Sequence, residues 1–549
     1  MSTSQDSPHP SEHESPHPTE RSISADHTVS PGDTVVDLQA QGQGTTKTPA
    51  QGGVEISMSS KKKWFLLLVF SVAQYMDVAS YSGLFVFTDS ILVDLDIPYG
   101  GSSWIITAYS VTFASFLLFW GRVADLYSAK PVFCYGFLGL ALCNIIISFM
   151  TNKYAYFVFR ALSGIFSACT IPSAFRLILA IFEGGQLQTA LTLFGMSGAL
   201  ANVTGLVLGG FIGYIHNGGQ MLAWRWFFRI IAIVIIPFAL SSFITVPNTK
   251  GQRADECTCA ADKRKRLDVP GCAMMLISII LLILSLTLGA QDNAWKKAEF
   301  LVPFFLSWLF FVGFFFWEYR QSDGYALIPP STWKIPNLTV LIVFALQIYP
   351  WWAVGQLAFV ERFQVEFHES PIIAAVRMLP QGIAALAVAM TLPAIPWLMQ
   401  NPRWPVTAGM VLGLVGYILM IFSHGNIGTD YWRYVFPGFV LGSGGMMAVF
   451  LATNITVMTS VPPEASGVAG ALLQVSLQVG AVIGLSVQAG LLTLKPGNIE
   501  NFYNVQASFW FQFGWDALYL VMFLMLFRQK KVNQAIEAKA EKGEAPAVI

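Results

Sequence analysis

The sequence predicts an all-α membrane protein with about fourteen spanning helices. Apolar runs long enough to cross a bilayer as helices recur from Trp64 to Phe527. Charged residues make up 12% of the chain and hydrophobic residues 54%, whereas a soluble domain carries roughly 25% charged residues. Basic clusters stand before the first run (Lys61 to Lys63), after the sixth (Lys263 to Arg266) and after the last (Arg528, Lys530, Lys531). An even number of spans puts all three, and both termini, in the cytosol, as the positive-inside rule requires.

Met1 to Ser60 is rich in Ser, Thr, Pro, His and Gln and holds too few aliphatic clusters to fold alone. It is expected to be a disordered cytosolic tail. Residues 61–246 carry six runs: Trp64 to Val86, Trp104 to Trp120, Pro131 to Met150, Tyr156 to Ala180, Ala190 to Tyr214 and Phe227 to Val246. A basic cytosolic loop, 247–268, follows. Within 269–320 come Val269 to Leu288 and Phe300 to Trp317, whose Phe304, Phe305, Phe310, Phe311 and Phe314 to Phe316 read as a lipid-facing surface. After a loop at 321–337, residues 338–528 hold Leu338 to Val360, Ile372 to Leu398, Val406 to Phe422, Tyr434 to Val457, Val468 to Leu494 and Trp510 to Phe527; 529–549 form a second cytosolic tail.

A repeat orders these runs. GMSGALANVT, from Gly195 to Thr204, and GVAGALLQVS, from Gly467 to Ser476, share Gly, Gly-Ala-Leu and Val at equal offsets, with Asn202 opposite Gln474. They lie in the fifth and thirteenth runs. That spacing favours two six-helix halves with an inserted pair between them, six plus two plus six, over the alternative that small residues in any two close-packed membrane helices look alike, and repeated halves around a midplane cavity are a transporter architecture.

Formal net charge is zero, so no overall bias points to nucleic acid. The six cysteines form neither a disulfide framework nor a zinc set. No Walker A, H-E-x-x-H or G-x-S-x-G pattern appears, so neither an enzyme nor a cofactor or metal is expected.

Asp77, near the middle of the first run, is a carboxyl at a depth where insertion costs about 2.5–3.5 kcal/mol. It is a candidate to carry a proton. Arg160, in the fourth run, is the other buried charge and needs an anion near it. Asn202, Gln474 and Gln478 on runs five and thirteen, with Gln347, Tyr349, Trp352 and Gln356 on run nine, supply hydrogen-bonding groups among apolar walls, which suits an amphiphilic ligand. Taken singly, each amide also reads as interhelical glue and each aromatic as an interfacial belt. Pro350, Pro380, Pro393 and Pro396 interrupt runs nine and ten and permit bending.

GRVADLYSAK, Gly121 to Lys130, reads from its charge as a tight polar turn between the second and third runs, and it resembles the G-x-L-A-D-R-x-G-R-K signature between helices two and three of the major facilitator superfamily. RALSGIFSAC, with Arg160 and Gly164, resembles that family's fourth-helix R-x-x-x-G, and GLVLGG, with Gly205, Gly209 and Gly210, its fifth-helix antiporter signature. With fourteen spans, the chain looks like the drug:proton antiporter group with the extra helix pair, in a fungal style. It departs at Leu126, Ser128 and Ala129, where the family usually has Arg, Gly and Arg, and at Leu206, where it has Pro.

The resemblance implies a cytosolic gate of Gly121, Arg122, Asp125, Lys130 and Arg176, with Asp125 meeting the start of the thirteenth helix near Ser466 and Gly467. It also implies close helix packing at Gly195, Gly198, Gly205, Gly209, Gly210, Gly467 and Gly470. The expected function is proton-coupled efflux of a small amphiphilic compound (drug, secondary metabolite or glycolipid-type product) by a monomer in the plasma membrane. Alternatives are uptake, a transporter-like sensor and the vacuolar membrane. Small molecule, protons and lipid bilayer are the expected partners.

Overall fold

The computed structural model describes residues 58–529 apart from 99–100, 183, 216–217, 249–265, 323–324, 329, 396, 399–400, 426 and 462–465. Most of both expected tails and of the basic loop therefore lies outside the described residues. Fourteen helices are long and apolar enough to cross a membrane. They are α1 (Ser60–Asp94), α2 (Ser103–Leu126), α3 (Ala129–Ile147), α4 (Lys153–Ile181), α5 (Gly184–Ile212), α6 (Ala223–Thr245), α7 (Val269–Ala290), α8 (Ala298–Arg320), α9 (Leu338–Val365), α10 (Pro371–Thr391), α11 (Arg403–Phe422), α12 (Phe436–Ser460), α13 (Ser466–Leu491) and α14 (Phe502–Leu526). Helix is the form that satisfies backbone polar groups inside one apolar segment, so every long run takes it.

Polar residues mark the helix starts. The Asn152 side chain accepts from the Tyr154 N–H at 2.8 Å to open α4, Asn501 accepts from Tyr503 at 3.2 Å to open α14, and Pro371 takes the first position of α10.

The last six helices repeat the packing of the first six. α1 on α5, α2 on α4, α3 on α4 and α3 on α6 recur as α9 on α13, α10 on α12, α11 on α12 and α11 on α14. The halves meet through α5 against α10 and through its symmetry mate, α2 against α13. α7 and α8 pair with each other, and α7 lies against both α2 and α13, over that second seam.

Side chains tie the helix ends into two faces. On one, Arg225 at the start of α6 donates to the Ser148 and Met150 carbonyls (3.2 and 2.8 Å) and pairs with Asp94 at 2.7 Å. Arg362 at the end of α9 does the same for Ile499 and Glu500 (2.8 and 2.6 Å). On the opposite face, which carries Lys61 to Lys63, Asn337 and Arg528 exchange hydrogen bonds at 3.1 Å each way.

Glycine sets the closest approaches. A Cβ on Gly205 would lie 2.8 Å from the Ala79 Cα, and one on Gly209 2.8 Å from the Gly83 carbonyl oxygen, so α1 and α5 touch backbone to backbone. One on Gly210 would lie 2.8 Å from the Ile372 Cα of α10. In the second half Gly480 does this work. Pro350 has no N–H for the Leu346 carbonyl, and that oxygen would stand 1.9 Å from a Gly480 Cβ. Gly198 faces only the Gln74 amide and Gly470 only the tip of Met458, both flexible groups.

Four expectations are corrected. Gly195 faces open space and packs against nothing, while what surrounds Gly467 is outside the described residues. Gly121 to Lys130 is not a loop: with no breaker in GRVADL, α2 runs on through Leu126 and α3 starts at Ala129, leaving only Tyr127 and Ser128 between them. Pro393 does not kink α10 but lies just beyond its end, in a 3-10 turn at Leu392–Ala394. Phe314 is buried, unlike the exposed Phe305 and Phe316, because α8 turns that face to α7.

We predict that Gly480→Ala lowers the melting temperature of the detergent-purified protein, an overpacking loss of about 1–3 kcal/mol. Gly195→Ala should leave it unchanged or raise it, since Ala favours a helix by about 1 kcal/mol over Gly. Equal effects of the two would contradict the packing described.

Candidate functional site

α1, α2 and α4 converge at Asp77. The α1–α5 contact at Gly205 fixes α1, and Asp77 projects to the other side of that helix, where it is 6% exposed. Both its donors are hydroxyls: Tyr109 on α2 and Ser167 on α4 each hydrogen-bond to Oδ1. Arg160 lies two helical turns before Ser167 on α4, so both face the same way. Its guanidinium stacks on the Tyr109 ring, 4.9 Å from the centroid, and on Phe228 at 5.7 Å. Arg160 is 1% exposed, and none of its nitrogens reaches an acceptor among the described residues. Carboxyl and guanidinium therefore communicate through one tyrosine, the hydroxyl serving Asp77 and the ring face serving Arg160.

Of the expected cavity residues, the structure joins Asn202 and Gln356. The Gln356 amide donates to the Asn202 Oδ1 at 3.3 Å, bridging α5 and α9 across the two halves. Tyr75 and Thr204 link α1 to α5 at 2.6 Å beside it. Trp352 turns away, donating to the Ser443 hydroxyl at 2.8 Å inside the second half. The Tyr349 ring packs at a tilt against Phe450, 5.9 Å between centroids. Gln347 is fully buried with neither amide atom partnered among the described residues, and Gln474 and Gln478 are half-buried on α13.

The gate residues sit on the Lys61 face. Arg122 is buried in the last turns of α2 and donates to the Arg266 carbonyl at 2.9 Å, at the foot of the inserted pair. Beside it Asp268 accepts from the Trp317 indole at 2.8 Å, and Glu318 accepts from the Leu327 and Ile328 N–H groups at 3.2 Å. Arg176 donates to the Ala124 carbonyl at 2.8 Å, joining α4 to α2. Gly121 faces Pro172 across a gap that a Cβ would fill at ordinary contact distance, and Lys130 lies in the first turn of α3. Ser466 and Gly467 open α13, and the side-chain surroundings of Asp125, Ser466 and Gly467 lie outside what the structure describes.

Sequence reasoning missed Tyr109, Ser167 and Asp516. Ser167 was findable from its two-turn spacing to Arg160. Asp516, deep in the last apolar run, carried the same signal as Asp77. It is fully buried on α14, takes one hydrogen bond from the Gln512 amide at 3.0 Å, and its other oxygen has no partner among the described residues.

The family model described as Major Facilitator Superfamily matches residues 67–485. The chain belongs to the major facilitator superfamily. Membership makes it a membrane transport protein rather than an enzyme. It is 25% identical over 431 residues to the puromycin resistance protein pur8 of Streptomyces alboniger, covering 78% of this chain and 81% of that one. It is 25% identical to the tetracenomycin C resistance and export protein of Streptomyces glaucescens over 83% of this chain and 80% of that one, and 24% identical to efflux pump terJ of Aspergillus terreus over 78% and 81%. In fold it is similar to the peptide transporter POT solved with sulfate, at TM-score 0.63 and 14% identity over 86% of this chain and 95% of that one. The human organic anion transporter MFSD10 gives 0.56 and 14% over 84% and 99%.

Gln512→Leu removes the donor to Asp516 and leaves a buried acceptor bare, which is expected to cost about 1–3 kcal/mol of stability. Asp516→Asn keeps the shape and should cost less. Melting temperatures of the two variants in detergent check the order.

Proposed function

We propose that this transporter exports a small amphiphilic compound in exchange for protons, and that Asp77 is the group that carries the proton. The observation that carries the reading is the Asp77 carboxyl, buried and held by the hydroxyls of Tyr109 and Ser167, with Arg160 stacked on the Tyr109 ring. An ionisable residue at that depth is expensive to insert, so its presence calls for a function. The names of the relatives, which speak of resistance and export, support the outward direction.

In this reading the face bearing Lys61 to Lys63 is cytosolic and the plasma membrane is the site of action. A proton arriving at Asp77 releases the hydroxyls of Tyr109 and Ser167. Because these lie on α2 and α4, the change is transmitted to the end of α2, where Arg122 holds the Arg266 carbonyl and Arg176 holds that of Ala124. Arg122, Arg176, Asp125 and Lys130 form the cytosolic gate, and alternating access follows from two states of that seam. The Asn202–Gln356 bridge lies between the halves, where a substrate must replace it. Gln347, Gln474 and Gln478 supply further amides to the same cavity, and the protein acts as a monomer.

Reconstituted in vesicles with labelled tetraphenylphosphonium as cargo, Asp77→Asn should abolish export driven by a pH gradient while leaving counterflow. Undiminished pH-driven export would sink the proton role. Tyr109→Phe and Ser167→Ala should each slow pH-driven export about tenfold, the effect of losing roughly 1.4 kcal/mol; rates at the parental level would remove these hydroxyls from the mechanism.

A further inference from the structure

At the foot of the inserted pair two acids are buried against each other. Asp268 leads into α7 with φ 45°, a left-handed conformation that aspartate tolerates better than most residues. Its side chain lies over the first turn of α7, where Gly271 makes room. A Cβ on Gly271 would strike the Asp268 Oδ2 and lie 2.9 Å from the Glu318 Oε1. Glu318, in the last turn of α8, meets Asp268 within hydrogen-bonding reach. Asp268 is 4% exposed and Glu318 3%.

The donors around the pair leave one oxygen bare. Asp268 Oδ1 accepts from the Trp317 indole at 2.8 Å and from the Gly271 N–H at 3.3 Å. The two Glu318 oxygens accept from Leu327 and Ile328. Asp268 Oδ2 has no donor among the described residues, and no lysine or arginine there forms an ion pair with either carboxyl. Three side chains stand around them: Arg122 of α2, Cys272 of α7, and Arg266, whose guanidinium lies 5.7 Å from the Tyr325 ring centroid. Asp125 follows Arg122 three residues on along α2, and α13, the other neighbour of α7, has no charged residue between Ser466 and Leu491. Two ionised carboxyls in contact and out of water repel each other, and such a pair takes up protons as a unit. A proton between Asp268 Oδ2 and Glu318 Oε1 removes one of the two charges and gives the bare oxygen its donor.

We propose that Asp268 and Glu318 hold one shared proton, and that this proton site is a latch fastening the inserted pair to the end of α2. Arg266, two residues before Asp268, offers the carbonyl that Arg122 holds at 2.9 Å. When the cytosol turns alkaline the proton leaves, the two carboxylates push apart, and the turn that carries the Arg266 carbonyl loosens its hold on Arg122. The inserted pair thereby reports cytosolic pH to the gate, separately from Asp77. The gate and the cytosolic side are taken from the reading above; the shared proton does not depend on it.

Cys272, one turn into α7 and 7% exposed, is a native reporter of this foot. With the other five of the six cysteines replaced by serine, its reaction with N-ethylmaleimide is timed in the purified protein, and Asp268→Asn is compared with its parent at each pH. Asn keeps the acceptor for Trp317 and turns a permanent donor to Glu318. The ratio of parental to variant rates is expected near one at about pH 6 and at least about fivefold at about pH 8.5, as the parental foot opens. Glu318→Gln should reproduce the flat profile, which guards against a defect peculiar to one variant. A ratio that does not change with pH, or a change that disappears when choline replaces sodium, overturns the shared proton. Export at a fixed pH difference tests the latch. Raising both sides from about pH 6.5 to about 8.5 should alter the parental rate at least about threefold more than that of Asp268→Asn; identical profiles would detach the pair from the gate. Labelling is read without transport, so loss of the export reading leaves the proton site standing.

Discussion

The contact on which the centre of this protein depends is the approach of α1 to α5 at Gly205 and Gly209. With no side chain between them, the Ala79 and Gly83 backbones lie directly on α5. α1 is thereby fixed in rotation as well as position, and Asp77, two residues earlier, is turned to the hydroxyls of α2 and α4. A carboxyl in an apolar bundle keeps a defined environment only if its donors are held to a fraction of an ångström. Here three helices from one half hold them. The second half builds the equivalent contact differently, with Pro350 baring the Leu346 carbonyl and Gly480 admitting it.

Tyr109 reconciles a carboxyl and a guanidinium that do not touch. A direct ion pair would bind both groups tightly and resist change. The intervening ring instead holds the cation on its face while its hydroxyl serves Asp77. The inserted pair works at a larger scale: it shields one of two related seams and anchors the end of α2 through Arg122 and Arg266. A symmetric pair of halves thus becomes asymmetric toward the bilayer.

Spans, topology order and family were legible in the sequence because bilayer thickness imposes one length scale on every apolar run. The repeat at Gly195 and Gly467 gave the six plus two plus six order, although Gly195 itself packs against nothing. Asp77 and Arg160 were legible as lone charges in apolar runs, and Asp516 carried the same signal. Tyr109 and Ser167 were hidden because a hydroxyl at mid-membrane is common and its partner is a matter of helix rotation. The loop expected at Gly121 to Lys130 was an error of a different kind: charge suggested a turn, but helix propensity and the lack of a breaker carried α2 through it. Gly480 escaped notice because its role depends on a proline 130 positions earlier.

The paired hydrogen bonds between Asn337 and Arg528 join the first residue before α9 to the first residues after α14. The last six helices are therefore a loop with its ends already in contact. Such a unit is suited to circular permutation, since a short bridge at this point and a cut in another turn would leave every helix where it stands.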